Sequence, residues 1–373
     1  MTLSAAELAR YSRHLALPEV AASGQERLRA ARVLVIGAGG LGAPAALYLA
    51  ASGVGTLGLA DGDRVELSNL QRQVLFDSDD VGTSKVVAAR RRLAALNPEI
   101  AVLVHEGDVT ADNAVAVVRD YDVVIDGTDR IGTRYVVNDA CVIAGRPLVS
   151  AAIHRFEGQA MTYVPGRGPC YRCLFPETAA GIVPNCAEAG VLGVLPGVMG
   201  AIQATEAIKL IVGRGEPLIG RLLTYDALEM RFQEFAFDRR KDCAVCGPNP
   251  SILAPVDTAA SAPLARHRRL APAELAALLS AAAAGGAPVR IIDVREPYEF
   301  AAGHLHGAQS VPLGQVERMR WDDGATTVFV CRSGGRSSRA CQIAVNHGLT
   351  GAADLEGGLL AWAASIDPAL CVA

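Results

Sequence analysis

The chain has almost no surplus charge. Its 35 Lys and Arg residues face 39 Asp and Glu, a formal net charge of −4. That balance excludes the electrostatic footprint of a nucleic-acid or anionic-membrane partner. An apolar leader is also missing. The first residues, MTLSAAELARYSRHL, mix acid and base in an amphipathic pattern, without the apolar block and cleavage site of a signal peptide, so a cytoplasmic protein is expected. Nor is there an uninterrupted apolar run of membrane length. The most apolar stretch, VLGVLPGVMGAIQATEAIKLIVG, is broken by Pro196, Glu206 and Lys209, and reads as a buried loop and helix. Without an export signal the nine cysteines, an odd number with two CxxC pairs, point to metal or thiol chemistry in a reducing compartment rather than a disulfide framework.

What is present is the composition of an ordinary globular protein, 51% hydrophobic and 20% charged, over 373 residues, a length suited to two domains. RVLVIGAGGLGAPAALYLAASGVGTLGLAD reads as strand, glycine turn, helix, and a second strand ending at Asp61. YDVVIDGTD and RPLVSAAI add further strands, so an α/β fold is expected: a Rossmann-like domain with a mostly parallel sheet. The Pro, Ala and Ser content from Gly247 to Pro263 is that of a linker. The expected boundaries are 1–248, a linker at 249–266, and a small α/β domain at 267–373. Its segment TTVFVCRSGGRSSRACQIAVNHGL reads strand, loop, helix.

Gly37, Gly39 and Gly42 fit G-x-G-x-x-G between strand and helix, a turn that lets phosphate approach the backbone at a helix N-terminus. Alone this motif suggests a nicotinamide dehydrogenase. DGDRVELSNLQRQVLF then gathers Asp61, Asp63, Asn69, Arg72 and Gln73, and Lys85 follows. Arg and Lys beside a phosphate turn would neutralise a triphosphate, and Asp129 in DGTD could hold Mg²⁺. Cys170 and Cys173 in PCYRCLFP, with Cys243 and Cys246 in DCAVCGPNP, suit a structural tetrahedral Zn²⁺ site; a redox role would need only one pair. Cys141 and Cys341 read as core, and Cys371 as part of a frayed tail.

GAGGLGAP, SNLQRQ, Lys85 and CYRC resemble the adenylyltransferases related to ubiquitin-activating enzymes, which act on sulfur carriers of the molybdopterin, thiamine and thiolated-tRNA pathways. The likeness runs from about Arg10 to Gly247. It implies that Gly39, Gly40, Asp61, Ser68, Asn69, Leu70, Gln71, Arg72, Lys85 and Asp129 contact ATP. Arg13 would reach into a neighbouring subunit's site, which implies a homodimer. The family usually has Asn after the last of those aspartates, where this chain has Arg130, itself then a candidate ATP contact. The implied chemistry is attack by the C-terminal glycine carboxylate of a small ubiquitin-like, Gly-Gly-ending carrier on the α-phosphate, giving an acyl-adenylate. Cys186, in PNCAEAGV, stands where the family places an acyl-accepting cysteine, able to form a thioester or acyl disulfide.

At the other end, CRSGGRS is one residue too short for the Cys-x₅-Arg loop of a phosphatase, since Ser337 stands where that arginine belongs. A tighter ring of amides suits a single sulfur on Cys331, and Arg332 and Arg336 are expected to favour its thiolate. With IIDVREPYEFAAGHLHGAQSVPL and LEGGLLAW, the stretch from about Leu270 onward resembles rhodanese domains. By that resemblance Asp293 and Arg295 brace the loop, while His304 and His306 read as turn and packing residues. A persulfide on Cys331, loaded from thiosulfate or a cysteine desulfurase persulfide, would convert the acyl-adenylate to a thiocarboxylate. Molybdopterin synthesis is the leading destination; thiamine, tRNA thiolation, a specialised thio-metabolite and ubiquitin-like conjugation stay open. A carrier-binding scaffold without activity would have no use for Arg72, Lys85, Asp129 and Cys331 together.

Overall fold

The computed structural model describes residues 3–176, 190–256, 267–321 and 324–372; Cys186 lies outside them. The chain forms two compact units, Met1–Ser261 and Ala262–Ala373.

The first unit is built on eight strands: β1 (Arg32–Ile36), β2 (Thr56–Asp61), β3 (Ala101–Glu106), β4 (Val123–Asp126), β5 (Leu148–His154), β6 (Glu157–Tyr163), β7 (Arg221–Asp226) and β8 (Arg231–Ala236). They lie in the order β3-β2-β1-β4-β5-β6-β7-β8. The first five are parallel, and β6 to β8 continue the sheet antiparallel. RVLVI and VVID are buried along nearly their whole length, as strands covered by helices on both faces must be. Strand order turns back between β1 and β4, which opens a crevice at the carboxyl ends of those strands, the place where such sheets bind ligands.

Helix Leu195–Val212 is long and apolar enough to cross a bilayer, yet half of it is buried inside the unit. It packs on helix Gly42–Ala51 and on β5. Its buried Glu206 accepts hydrogen bonds from Thr162 Oγ1 and Leu218 N, both at 2.7 Å, so the acid is held by the sheet and its connections. This is the core helix expected of the sequence.

The N-terminal segment is tied down by two buried amides. Asn97 Nδ2 donates to Tyr11 Oη at 2.8 Å and to Ala50 O at 2.7 Å. Gln25 Nε2 donates to Ser52 O at 2.9 Å, and its Oε1 meets His14 Nδ1 at 3.0 Å. These contacts set the position of the short helix Ser12–Leu15, which carries Arg13 exposed.

The second unit has a five-stranded parallel sheet: β9 (Arg268–Leu270), β10 (Val289–Asp293), β11 (Gln309–Ser310), β12 (Thr326–Val330) and β13 (Ala352–Leu355), in the order β11-β10-β12-β13-β9. The alanine-rich segment forms helix Pro272–Ala283. Cys331 follows β12 directly, and helix Gly335–Asn346 starts four residues later. Cys141 and Cys341 are fully buried, as expected. The tail departs from expectation: Leu370 and Val372, on either side of Cys371, pack on the second unit's core, so apolar contact holds it rather than leaving it frayed.

Because Asn97 is fully buried and bridges three segments, Asn97→Ala strands a tyrosine hydroxyl and a carbonyl. A loss of about 2 kcal/mol is expected, read as a lower urea midpoint for the first unit with the second unit's transition unmoved.

Candidate functional site

The crevice begins where β1 ends. Gly37 has φ +87°, and a Cβ there would lie 2.9 Å from the carbonyl of Gly127. At Gly42 a Cβ would fall 1.8 Å from Gly37 O, so only glycine lets the helix start this close to the strand. Gly39 and Gly40 are partly open beside it. A methyl group at Gly40 would lie 3.2 Å from Pro196 Cβ and 3.7 Å from Arg72 Cδ, and one at Gly39 would lie 3.6 Å from Gln73 Nε2. Arg72, a predicted ATP contact, and its neighbour Gln73 thus face the glycine turn. Buried Gln73 leaves Oε1 without a hydrogen-bond partner among the described residues. A glycine cradle and an orphaned amide oxygen fit a polar ligand such as a nucleotide.

Asp61, at the end of β2, accepts from Ala38 N and Asp63 N, both at 2.8 Å, which locks the strand end to the turn. Burial pushes its carboxyl above the ordinary range, and the charge of Lys85 partly offsets this. Lys85 is buried at the start of helix Lys85–Leu96, with Nζ 2.8 Å from Asp63 Oδ2. The 3₁₀ turn Leu67–Asn69 presents exposed Ser68, and Gln71 just beyond it is exposed too; Asn69 is buried, and its Oδ1 accepts from Glu66 N at 3.1 Å. Arg72 Nη1 is anchored on Ser68 O at 3.1 Å, and Leu70 is half-buried. Asp129 is exposed on the loop after β4. Next to it Arg130 donates to Asp108 Oδ2 at 3.0 Å, which holds its guanidinium proton more firmly, and lies 4.0 Å from Asp63. The sequence reading missed Asp108, because a lone acid in a loop after a strand gives no local signal. The described residues therefore bring together the glycine turn, Asp61, the 68–73 segment and Lys85.

The four cysteines of the two CxxC pairs converge, with all sulfurs within 4.8 Å of one another. Cys170 and Cys243 sulfurs are 3.7 Å apart, those of Cys173 and Cys246 3.4 Å. Four thiolates at tetrahedral Zn–S distances of about 2.3 Å would sit about 3.8 Å from each other, so the set fits a zinc ion with no coordination position left for substrate. Hydrogen bonding within the cluster splits the four thiols: Cys173 is brought down to about 6 and Cys243 is lowered, while Cys170 and Cys246 are pushed up as the donors.

The first knuckle is held from behind by groups the sequence reading left out. Arg172 makes a two-pronged pair with Asp139, at 2.7 Å on both arms, and lies 4.6 Å over the ring of Tyr135. Asn138 Oδ1 accepts from Tyr171 N at 2.9 Å. Two polar residues in the middle of helix Ile131–Ala144, on a face its apolar neighbours bury, were the available signal.

In the second unit Cys331 is buried, and its sulfur accepts from Gly334 N at 3.1 Å and Ser337 N at 3.3 Å. The thiol lies 3.4 Å from Ser337 Oγ. The LEGG segment closes over the loop: Leu359 N donates to Cys331 O at 2.8 Å, and a Cβ on Gly358 (φ +62°) would come within 2.5 Å of that oxygen. Asp293 and Arg295 form a fully buried pair at 2.8 Å, with Arg295 Nη2 also on Gly303 O at 2.6 Å. His304 stacks on Phe300, a packing role as expected. Arg336 has an additional partner. Both of its arms are bound by Glu299, at 2.6 and 2.7 Å, a partner the sequence did not suggest, while its charge still couples to the nearby Cys331 sulfur.

The cysteine geometry predicts about one zinc per purified chain. Arg172→Ala, which leaves Asp139 buried and unpaired, should lower zinc retention under chelator by about tenfold or more while the second unit still melts normally. Unchanged retention, measured by elemental analysis, would contradict the bracing role.

Residues 11–245 match the ThiF family and residues 271–365 the rhodanese-like domain. A Mycobacterium tuberculosis protein named "Probable adenylyltransferase/sulfurtransferase MoeZ" is 44% identical over 98% of this chain and 95% of its own length. The "Sulfur carrier protein adenylyltransferase" of Thermus thermophilus is 51% identical over 66% of this chain and 93% of its own. The crystal structure of E. coli MccB superposes with a TM-score of 0.58 at 28% identity, covering 64% of this chain and 73% of that one. Glycine turn, cation pair and cradled cysteine thus lie inside the two matched segments, and the chain belongs to the ThiF family, as an adenylyltransferase carrying a rhodanese-like sulfurtransferase domain.

Proposed function

We propose that the chain adenylates the C-terminal glycine of a small ubiquitin-like sulfur carrier ending in Gly-Gly and then replaces AMP with sulfur carried on Cys331. The observation that carries this reading is the amide cradle around the Cys331 sulfur, on the same polypeptide as a phosphate-type glycine turn flanked by Arg72 and Lys85. Identity to a named adenylyltransferase/sulfurtransferase over nearly the whole chain supports it.

ATP would lie with its phosphates on the Gly39–Gly40 turn and its ribose toward Asp61, with Ser68, Asn69, Leu70, Gln71 and Arg130 along its flank. Arg72 and Lys85 would neutralise charge on the phosphates as the carrier carboxylate attacks the α-phosphorus and pyrophosphate leaves. Lys85 must exchange Asp63 for phosphate to do so. Asp129 would hold Mg²⁺, and Arg13 of a second copy would complete the site in a homodimer. Zinc on Cys170, Cys173, Cys243 and Cys246 is structural. In the second half-reaction the Cys331 persulfide attacks the acyl carbon, AMP leaves, and an acyl disulfide forms. A thiol then attacks the Cys331 sulfur, releasing the thiocarboxylate and leaving a disulfide for a cellular dithiol to reduce; Cys186 is the candidate thiol. The linker 249–266 separates the two activities and keeps the second at high effective concentration near the first. A cytoplasmic enzyme of molybdopterin synthesis is the destination this reading favours.

The two halves predict separable losses. Lys85→Ala should lower carrier-dependent ATP–pyrophosphate exchange by about 100-fold or more. Cys331→Ala should keep that exchange but abolish thiocarboxylate on the carrier, measured by mass spectrometry. Equal loss of both activities in Cys331→Ala would overturn the scheme.

A further inference from the structure

Lys85 can serve the phosphates only by leaving Asp63, and the structure shows what stays behind. Lys85 Nζ lies 2.8 Å from Asp63 Oδ2; the lysine side chain is 6% exposed and the aspartate side chain 54%. Asp63 is not free to follow. Its N–H donates to Asp61 Oδ1 at 2.8 Å and its carbonyl accepts from Lys85 N at 3.0 Å, so the backbone that carries the carboxylate is pinned on both sides. Once Lys85 turns to phosphate, a bare carboxylate with Asp61 beside it faces an incoming polyanion, and like charges at such range repel.

One cation of the neighbouring loops is in reach. Arg130, after β4, has Nη1 on Asp108 Oδ2 at 3.0 Å and Nη2 4.0 Å from Asp63 Oδ1, the oxygen that Lys85 does not use. Closing that gap by about 1 Å gives an N–H···O bond of ordinary length, and Asp108 need not be released, because the two acids use different nitrogens of the guanidinium. Asp108 is a steady anchor, with its own carbonyl accepting from Asn113 Nδ2 at 2.9 Å. The bond to Asp108 holds the Arg130 proton more firmly, and the charges of Asp63 and Asp129 add to it. The other cations nearby are bound elsewhere: Arg64 donates to Gly82 O at 2.8 Å and Arg72 to Ser68 O at 3.1 Å. Asn, the family's usual residue in place of Arg130, has no charge to offer.

We propose that Arg130 is a positioning residue of the nucleotide site: it takes over Asp63 when Lys85 turns to the phosphates, so that ATP does not enter against an uncompensated carboxylate. The inference deepens the reading above and rests on Lys85 serving the phosphates. Arg130 acts through Asp63 and Lys85 and not on the reacting atoms.

A double-mutant cycle on the full chain tests it, read as the affinity for ATP with Mg²⁺ by isothermal titration. R130Q should weaken ATP binding about fivefold, the size of one exposed ion pair, and R130K, which keeps the charge, should recover most of the loss. D63N and D63S each remove the carboxylate that needs a partner, and either serves as the second background if the other does not fold. There the further change R130Q should alter the affinity by less than about twofold. A fivefold loss in both backgrounds would mean that Arg130 touches the nucleotide itself or braces the loop through Asp108, and would overturn the inference. So would an R130Q chain that binds ATP as the unaltered one does. K85A tests the underlying reading by itself: if it binds ATP as tightly as the unaltered chain, Lys85 does not serve the phosphates, a result distinct from additivity in the cycle.

Discussion

Everything this chain can do depends on one constraint: a negatively charged atom has to be held by backbone amides and nearby cations at the point where a strand becomes a helix. Both units meet it with the same local plan. A buried parallel strand stops, a loop with positive-φ glycine turns the chain, and the next helix begins with its free N–H groups directed at the ligand. In the first unit the plan makes a wide crevice suited to phosphates, with Arg72 and Lys85 at its edge. In the second the loop closes around one sulfur.

The surroundings of each site then tune charge. Lys85 is buried against Asp63, which lets a cation be stored at the crevice without leaving it unpaired in the interior. Arg336 is stored the same way by Glu299. The difference lies in exposure of the partner: Asp63 is 54% exposed and can let go, whereas Glu299 is nearly closed off. One pair is open to solvent on its acidic side and the other is closed on both.

Much of this was legible in the sequence. Strand, turn and helix around GAGGLG followed from glycine spacing and apolar runs, and the small α/β unit from TTVFVCRSGG. The convergence of two CxxC pairs about 70 residues apart rested on residue type and proved geometrically sound. What stayed hidden has a common cause. Asp108, Glu299 and the Asp139–Arg172 pair act through partners distant in sequence or through a helix face whose burial depends on packing. A single charged residue carries no local mark of the partner it will meet, so Arg336 read as a free cation when it is a bound one. The tail around Cys371 likewise looked loose because two apolar residues, Leu370 and Val372, say nothing of the surface they cover.

The cysteine cluster has an architectural consequence as well. Joining Cys173 to Cys243 through one ion would close a loop that contains helix Leu195–Val212 and the β7–β8 hairpin at the edge of the sheet. By chain-entropy reasoning such a clasp disfavours the open chain by about 4 kcal/mol. A metal held there would fasten β7 and β8 at their exit instead of leaving them to strand pairing alone.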